Sequence, residues 1–158
     1  MILPDYAIEM RNILTPTLPR TKWTDPEGRE FTFGLGPATY DVRVEFDTNG
    51  SIPFVIFAPG QCRLASTMEY FTMPKDVAAV VHDKSSWARR FLTVQNTFID
   101  PGWEGYLTLE LINHSYEAIT LYRETPIAQI EFKQLVGTPS MLYEGKYHKQ
   151  ERGPQRAR

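Results

Sequence analysis

The segment Tyr106-Leu107-Thr108-Leu109-Glu110-Leu111 alternates apolar and polar residues. Because successive side chains of a β-strand point to opposite faces, the pattern predicts a strand with three leucines on one face and Tyr106, Thr108 and Glu110 on the other. We expect the leucines to face the core. Glu110 then faces water, a ligand or a neighbouring subunit.

A turn precedes this strand in the stretch Phe98-Ile99-Asp100-Pro101-Gly102-Trp103-Glu104-Gly105. Asp-Pro-Gly-Trp is typical of a tight turn, so by itself it indicates structure rather than function. The turn also brings Asp100 and Trp103 close to Glu110 along the chain. Two carboxylates in different environments can take different roles in acid–base chemistry. The residues alone leave open whether Glu110 is functional or an ordinary exposed strand residue.

Further short apolar runs, separated by turn residues, predict a mainly β chain. One of them, Val77 to Val81, is apolar on both faces and predicts a fully buried strand. The expected strands outside the central segment are Tyr40–Phe46, Pro53–Phe57, Cys62–Phe71, Val77–Val81, Leu92–Val94, Ile119–Leu121 and Ile127–Phe132, and the central one extends over Tyr106–Ile112.

The two ends of the chain differ from this pattern. Tyr6 to Leu14 predicts a short opening helix with Asp5 as its N-cap, and Thr15 to Pro37, with four prolines, is interpreted mostly as loop. The tail from Gly145 to Arg158 is basic and almost free of apolar residues. Such a segment cannot build a core, so it is expected to be mobile when no ligand is bound.

Length and composition fit one compact domain. The chain has 158 residues, 42% of them hydrophobic, and a formal net charge of −2, which argues against a dedicated nucleic-acid-binding protein. Its one cysteine, Cys62, cannot form a disulfide within the chain, so a reducing, cytoplasmic compartment is expected, with Cys62 as a small buried residue. No apolar run is long enough to predict a membrane span.

A cationic cluster follows the buried strand, in the sequence His82-Asp83-Lys84-Ser85-Ser86-Trp87-Ala88-Arg89-Arg90. Lysine, arginine and paired hydroxyls suit a phosphate chain, although composition alone favours a solvated basic turn. The sequence has no phosphate-binding P-loop and no dinucleotide-binding glycine pattern. With one cysteine it also lacks the paired cysteines of a zinc deaminase, so any deamination must proceed without zinc.

These segments, taken together and in order, resemble the dCTP deaminases and the bifunctional dCTP deaminase/dUTPases, which belong to the trimeric dUTPase-like superfamily. The resemblance covers nearly the whole chain. Its motifs are Met1–Asp5, Gly36–Arg43 with Tyr-Asp-Val-Arg, Lys84–Arg89, Ile99–Trp103 with Leu109-Glu110, Pro126–Ile130, and Tyr143–Tyr147 with Gln150 and Gly153-Pro154.

The resemblance implies a dUTPase-like jelly-roll or distorted β-barrel, with a short N-terminal helix and a flexible C-terminal arm. The β domain is expected over residues 1–142, and the closing arm over residues 143–158. It further implies a homotrimer with active sites between subunits, a small-molecule deoxynucleoside triphosphate as substrate, and neither a nucleic-acid nor a membrane partner. Mg²⁺ is expected to arrive with the triphosphate, with no metal ligands of the protein's own and no zinc.

The resemblance also implies residue roles. Glu110 matches the general base that activates a water for attack on carbon 4 of cytosine, while dUTPases usually carry an aliphatic residue there. Ser85 and Arg89 would assist that step, and Asp100 would orient the sugar or, in a bifunctional enzyme, activate the water that attacks phosphorus. The expected substrate-binding residues are Lys84, Ser86, Asn96, Thr97, Phe98, Trp103, Gln129, Tyr143, Lys146 and Gln150.

Three functions remain open at this point. The first is dCTP deamination to dUTP, with or without onward hydrolysis to dUMP and pyrophosphate. The second is a dUTPase in which Asp100 is the base. The third is an inactive relative that senses nucleotides. Two positions depart from the family pattern. Asn96 stands where deaminases usually have alanine, and its larger side chain would either displace the expected water or adapt the pocket to a modified base. Glu151 is an extra residue between Gln150 and Arg152.

Overall fold

The computed structural model describes residues 1–157 and confirms the mainly β fold. Two short helices are α1 (Asp5–Met10) and α2 (Ser85–Ala88). The strands are β1 (Leu14–Thr15), β2 (Thr21–Thr24), β3 (Glu30–Leu35), β4 (Tyr40–Glu45), β5 (Phe54–Phe57), β6 (Cys62–Thr72), β7 (Val77–Asp83), β8 (Leu92–Val94), β9 (Phe98–Ile99), β10 (Glu104–Asn113), β11 (Ile119–Tyr122) and β12 (Pro126–Gln134).

A single antiparallel sheet, curled into a half-barrel, forms most of the domain. Its main order is β8-β10-β6-β4-β12-β7-β9, with β1 added to β6 and the β2–β3 hairpin added to β4. β5 and β11 form a separate two-stranded sheet. The long strands β6 and β10 pair along most of their length, and β10 carries Glu110 on the strand that begins directly after the Asp100 turn.

The core largely confirms the strand predictions for β7 and β10. In β7, Val77, Ala78, Ala79 and Val81 are buried, whereas Val80 is half-buried, so the strand predicted to be fully buried is so at four of the five positions. On β10, Leu109 and Leu111 lie in the core while Glu110 is only half-buried. Leu107 differs from the prediction: a register shift between Tyr106 and Thr108 leaves it half-buried. A bulge of this kind breaks strict alternation.

The N-terminal predictions were partly wrong. The helix ends at Met10, because Leu14 is used in strand β1, where it pairs with Phe71 of β6. The N-cap position belongs to Pro4, and the Asp5 carboxylate instead accepts a hydrogen bond from the Tyr6 backbone N–H at 2.8 Å.

The predicted loop between Thr15 and Pro37 contains the β2–β3 hairpin. Its aromatic residues stabilise it, because Trp23 packs against Phe31, and Phe31 stacks on the buried Trp87 ring at 5.0 Å between centroids. Cys62, expected to be buried, is exposed at the start of β6. Within residues 1–157, neither helix has the length and apolar content needed to cross a bilayer.

The C-terminal tail lies against the rest of the chain. Gln150 is buried and forms a bridge with Gly105 at the beginning of β10. The Trp103 indole N–H donates to the Tyr147 carbonyl at 2.8 Å. The arm therefore lies against the β domain, and its expected mobility when no ligand is bound stays a prediction. The domain boundary at residue 142 stays a prediction.

Candidate active site

A cavity of about 440 Å³ lies beside β10 and is mostly apolar. It is built from the β9–β10 turn, from β10 itself and from the C-terminal arm. Half of the residues predicted for the site line it, namely Thr97, Phe98, Asp100, Trp103, Glu110, Tyr143 and Gln150. Gln155 and Tyr147 also line it and were not predicted, because their positions depend on how the arm folds back.

Glu110 is the carboxylate at the centre of this arrangement. Its Oε2 atom is buried and has no hydrogen-bond partner among residues 1–157. Desolvation by burial raises the pKa of the carboxyl above its ordinary value, and the opposing hydrogen bond from its own backbone is a smaller effect. A half-buried carboxylate with a raised pKa, an unpartnered oxygen and an adjacent cavity can take a proton from water and later return one.

Asp100 stands in a different environment in the same cavity. It is exposed at the start of the predicted turn, whose Trp103 backbone N–H donates to the Asp100 carbonyl at 3.1 Å. The Trp103 ring is buried and packs against Phe71, which fixes the turn to the core. The tight turn thus has a structural role and also holds Asp100 at the cavity.

Four other predicted residues line a second cavity, of about 370 Å³: Lys84, Ser85, Ser86 and Gln129. Arg20 and Lys22 from the β2 region also line it, and both are exposed. Sequence reasoning missed these two cations because the region was interpreted as loop. The cavity combines basic side chains, hydroxyls and an amide, which is the composition that binds a phosphate chain.

Lys84 is not a free surface cation. It is buried, and its ammonium group forms an ion pair with the buried Asp41 carboxylate of β4. Asp41 belongs to the Tyr-Asp-Val-Arg motif, but its pairing with Lys84 was not predicted, because the two residues are 43 positions apart. The second oxygen of Asp41, Oδ1, is buried and accepts no hydrogen bond from the part of the chain described.

Three predicted residues line neither cavity. Arg89 follows α2 and is exposed, and Asn96 is exposed between β8 and β9. Lys146 is exposed on the arm, with its ammonium group 5.0 Å from the Tyr147 ring centroid. A single subunit therefore carries two separate groups of predicted residues, one around Glu110 and one around Lys84, and it does not join them.

Potential metal ligands are not clustered. Across residues 1–157, no group of three or more His, Cys, Asp or Glu side chains is arranged to hold a metal ion. The electrostatic features of the two cavities come from Glu110 and Asp100 on one side and from the Lys84–Asp41 pair with nearby cations on the other.

Comparison with known proteins identifies the family. A family model described as dCTP deaminase-like matches residues 39–135, which include the Asp41, Lys84, Asp100 and Glu110 positions. A dCTP deaminase of Thermococcus kodakarensis is 33% identical over 155 residues, which cover 93% of this chain and 92% of that protein.

Two further relatives are named as dUMP-forming dCTP deaminases. The protein of Aquifex aeolicus is 42% identical over 90 residues, or 56% of this chain and 50% of the relative. The protein of Nanoarchaeum equitans is 41% identical over 102 residues, or 62% of this chain and 51% of the relative. The chain therefore matches about half the length of these two proteins.

Solved structures share the fold at lower identity. The Agrobacterium tumefaciens 2'-deoxycytidine 5'-triphosphate deaminase aligns with a TM-score of 0.60 at 20% identity, covering 84% of this chain and 48% of that one. The EIAV dUTPase aligns with a TM-score of 0.54 at 19% identity, covering 69% and 85%. These alignments confirm the expected dUTPase-like fold, and the sequence matches show that the chain belongs to the dCTP deaminase-like family.

Proposed function

We propose that the protein is a dCTP deaminase that converts dCTP and water to dUTP and ammonia. The observation that carries the proposal is Glu110, whose half-buried carboxylate borders an apolar cavity and has one buried oxygen without a partner among residues 1–157. Plain dUTP hydrolysis gives no reason to keep an unpaired carboxylate at that position. Relatives of this chain that bear the name dCTP deaminase support the same substrate.

In the proposed reaction, Glu110 takes a proton from a water as its oxygen bonds to carbon 4 of cytosine. The resulting tetrahedral intermediate then expels the exocyclic nitrogen. Glu110 passes this first proton to ring nitrogen 3 and the proton of the new hydroxyl to the exocyclic nitrogen, which leaves as ammonia while a carbonyl forms at carbon 4. The raised pKa of Glu110 brings the carboxyl closer to neutrality, which suits a group that must both accept and donate a proton.

The remaining predicted residues take binding roles in this proposal. Ser85 hydrogen-bonds the water or the base, and Arg89 stabilises developing charge or holds the substrate. Asp100 orients the sugar, and the Asn96–Phe98 backbone, with Gln129, reads the nucleotide. Trp103 and Tyr143 line the pocket. The phosphate-binding set is Lys84, Ser86, Lys146 and Gln150, to which the cavity around Lys84 adds Arg20 and Lys22.

We further propose that the complete site forms between subunits of a homotrimer. One chain keeps the Glu110 cavity and the Lys84 cavity apart, and the two linings share no residue. A neighbouring copy can supply the cationic group that the Glu110 cavity lacks. A C3 arrangement does this three times with one kind of heterologous contact.

Mg²⁺ is proposed to enter the site bound to the triphosphate of the substrate. Asp41 lines the phosphate-binding cavity, and one of its carboxylate oxygens accepts no hydrogen bond from residues 1–157, so this side chain has the capacity to accept one from a water bound to the ion. Bound Mg²⁺ would neutralise triphosphate charge, and the chain's own part is to hold that hydrated group. The protein is proposed to act in the cytoplasm without nucleic-acid or membrane partners.

A second activity, hydrolysis of dUTP to dUMP, has one observation in its favour. Asp100 is exposed in the same cavity as Glu110, so a second carboxylate is available there to activate a second water. The names of two relatives, dUMP-forming dCTP deaminases, describe that combined outcome for those proteins.

Product analysis tests the proposed function. The purified protein is incubated with dCTP and Mg²⁺, and both ammonia and pyrophosphate are followed. Ammonia alone is the result expected of a deaminase, and ammonia with pyrophosphate is that of the bifunctional enzyme. No ammonia from dCTP, with pyrophosphate from dUTP, would make the protein a dUTPase. If neither ammonia nor pyrophosphate forms from dCTP or dUTP, the protein would be an inactive, nucleotide-sensing relative.

A further inference from the structure

The β2–β3 hairpin forms part of the cavity around Lys84, although it precedes the segment that the family model describes. That model begins at residue 39, whereas Arg20 directly precedes β2 and Lys22 lies on it. Both side chains line the cavity and are exposed, and within residues 1–157 neither forms an ion pair. The hairpin therefore brings to the cavity two cations whose charge no carboxylate of the described chain neutralises.

The lysine of the cationic motif does not supply a net charge of this kind. Lys84 is buried and its ammonium group pairs with the buried Asp41 carboxylate, so the two charges largely cancel. Among the other described residues that line the cavity, Glu30 is negative and only Arg20 and Lys22 are positive. The lining thus has three cations against two carboxylates, and without the hairpin cations it would have one against two. The positive charge that favours a triphosphate comes from the hairpin.

Strand register places these charges on one face of the hairpin. Lys22 pairs with Thr32, and Thr24 pairs with Glu30. Because side chains two positions apart on a strand share a face, and paired residues share it across the ladder, Lys22 and Glu30 are diagonal neighbours. Arg20 stands two positions before Lys22 and lines the same cavity. One carboxylate therefore stands close to the two cations.

The opposite side of the hairpin is fixed to α2. The Phe31 ring stacks on the buried Trp87 ring, with 5.0 Å between centroids and 13° between planes. The Arg29 guanidinium lies 5.3 Å from the centroid of the same Trp87 ring. Trp87 directly follows Ser85 and Ser86 on α2. The hairpin and the two hydroxyls of the cationic motif are therefore held in a fixed relation by aromatic packing.

A glycine sets the position of the chain just before Arg20. Gly34 on β3 has a φ of 86°, and an added Cβ there would stand 2.3 Å from the Pro19 carbonyl oxygen. The Leu35 N–H donates to the Leu18 carbonyl at 3.0 Å. Only glycine permits this close approach of the two chain segments, so the backbone that leads into Arg20 is held against β3.

We propose that Arg20 and Lys22 are specificity-determining residues that bind the phosphate chain and make the site prefer triphosphates to monophosphates. They donate charge-assisted hydrogen bonds to phosphate oxygens beside the hydroxyls of Ser85 and Ser86. Glu30 opposes them and limits the affinity for the anion. The identity of the nucleotide rests on the proposed function, whereas the binding of a triphosphate chain does not.

Calorimetry with inorganic tripolyphosphate and Mg²⁺ tests this in the full-length protein. Arg20→Gln/Lys22→Gln should weaken binding roughly tenfold or more, because two charge-assisted contacts are lost. Glu30→Gln should bind several-fold more tightly, because it removes the opposing charge. The matched control is Arg63→Gln/Lys75→Gln, which removes the same charge at two exposed positions outside both cavities and should bind like the parent. Added salt should reduce the differences.

Kinetics with nucleotides test the selectivity. In Arg20→Gln/Lys22→Gln, KM for dCTP with Mg²⁺ should rise about tenfold while kcat stays close to that of the parent, because these contacts are equally strong before and during the chemical step. The value of kcat/KM for dCMP should change little, so the preference for the triphosphate should shrink. The melting temperature should be unchanged, because both side chains are exposed.

Equal tripolyphosphate affinity in the parent and in Arg20→Gln/Lys22→Gln would overturn the proposal. So would an equal loss in the Arg63→Gln/Lys75→Gln control, since this would reflect net charge alone, and so would weaker binding by Glu30→Gln. A parent protein that binds tripolyphosphate through Arg20 and Lys22 but releases no ammonia from dCTP would refute the deaminase assignment and leave this inference intact. The two failures are therefore distinguishable.

Discussion

Glu110→Gln is expected to lower ammonia release from dCTP by about 1000-fold or more while leaving nucleotide affinity nearly unchanged. Glutamine keeps the size and hydrogen-bonding ability of the side chain, but it cannot take a proton from water. The cavity wall is preserved, so binding should survive. The measurement is single-turnover ammonia release, with dCTP affinity determined by calorimetry on the same preparation.

The same variant has a second signature, in stability. Burial raises the pKa of the Glu110 carboxyl in the folded state, so the folded protein binds this proton more tightly than the unfolded chain does. That contribution is complete below the unfolded pKa and is lost as pH rises through the folded pKa. Above the folded pKa the charged, desolvated carboxylate opposes folding, so in that pH range the Glu110→Gln variant should unfold at an equal or higher urea concentration. Glu117→Gln, on an exposed loop, is the control for both measurements.

Near-normal deamination by Glu110→Gln would remove the catalytic role from this residue. Loss of activity together with a large loss of stability would also contradict the account. In that case the carboxylate would be holding the fold together, which its unpartnered oxygen argues against.

Mixed oligomers provide the second large effect. Glu110→Gln and Arg89→Gln should each be almost inactive alone, because Glu110 is the proposed base and Arg89, which lines neither cavity of one chain, is proposed to reach the Glu110 cavity of a neighbouring subunit. If the two residues come from neighbouring subunits, oligomers reassembled from equal amounts of both variants contain some sites in which both residues are intact. Random assembly gives about one quarter of such sites, and hence about one quarter of the parent activity.

The matched control uses two residues of one cavity. Glu110 and Asp100 line the same cavity of one chain, so a mixture of Glu110→Gln with Asp100→Asn cannot rebuild an intact site. The activity of that mixture should be only the average of the activities of the two single variants. If the Glu110→Gln and Arg89→Gln mixture also stays inactive, the site does not form between subunits.

Strand prediction succeeded where the signal was local. Leu92–Val94 was predicted with its observed bounds, and the buried run from Val77 marked β7 because no face of it is polar. The β2–β3 hairpin was missed because prolines and polar residues surround Trp23 and Phe31, whose packing partner Trp87 lies far along the chain. The half-buried position of Leu107 depends on a bulge, which alternation does not reveal.

In the candidate site, too, features that are local in sequence were predicted and contacts between distant residues were not. Asp100, Trp103 and Glu110 are close in sequence, and the structure brings them to one cavity. The pairing of Lys84 with Asp41 joins distant strands, and so does that of Arg152 with Glu45. Composition indicated a mobile arm because the tail has almost no apolar residues. Its seat is polar and glycine-dependent, and neither feature is visible without the fold.

Labelled water tests the central claim, that Glu110 directs a water to carbon 4 of the base. The reaction is run with dCTP and Mg²⁺ in water enriched in oxygen-18, and the products are separated and analysed by mass spectrometry. The account predicts the label at carbon 4 of the uracil base in every turnover, with additional label on phosphate only where dUMP is formed. Label found only on phosphate, with an unchanged cytosine base, would contradict the account. It would indicate that the water attacks phosphorus and that Asp100 is the residue that activates it.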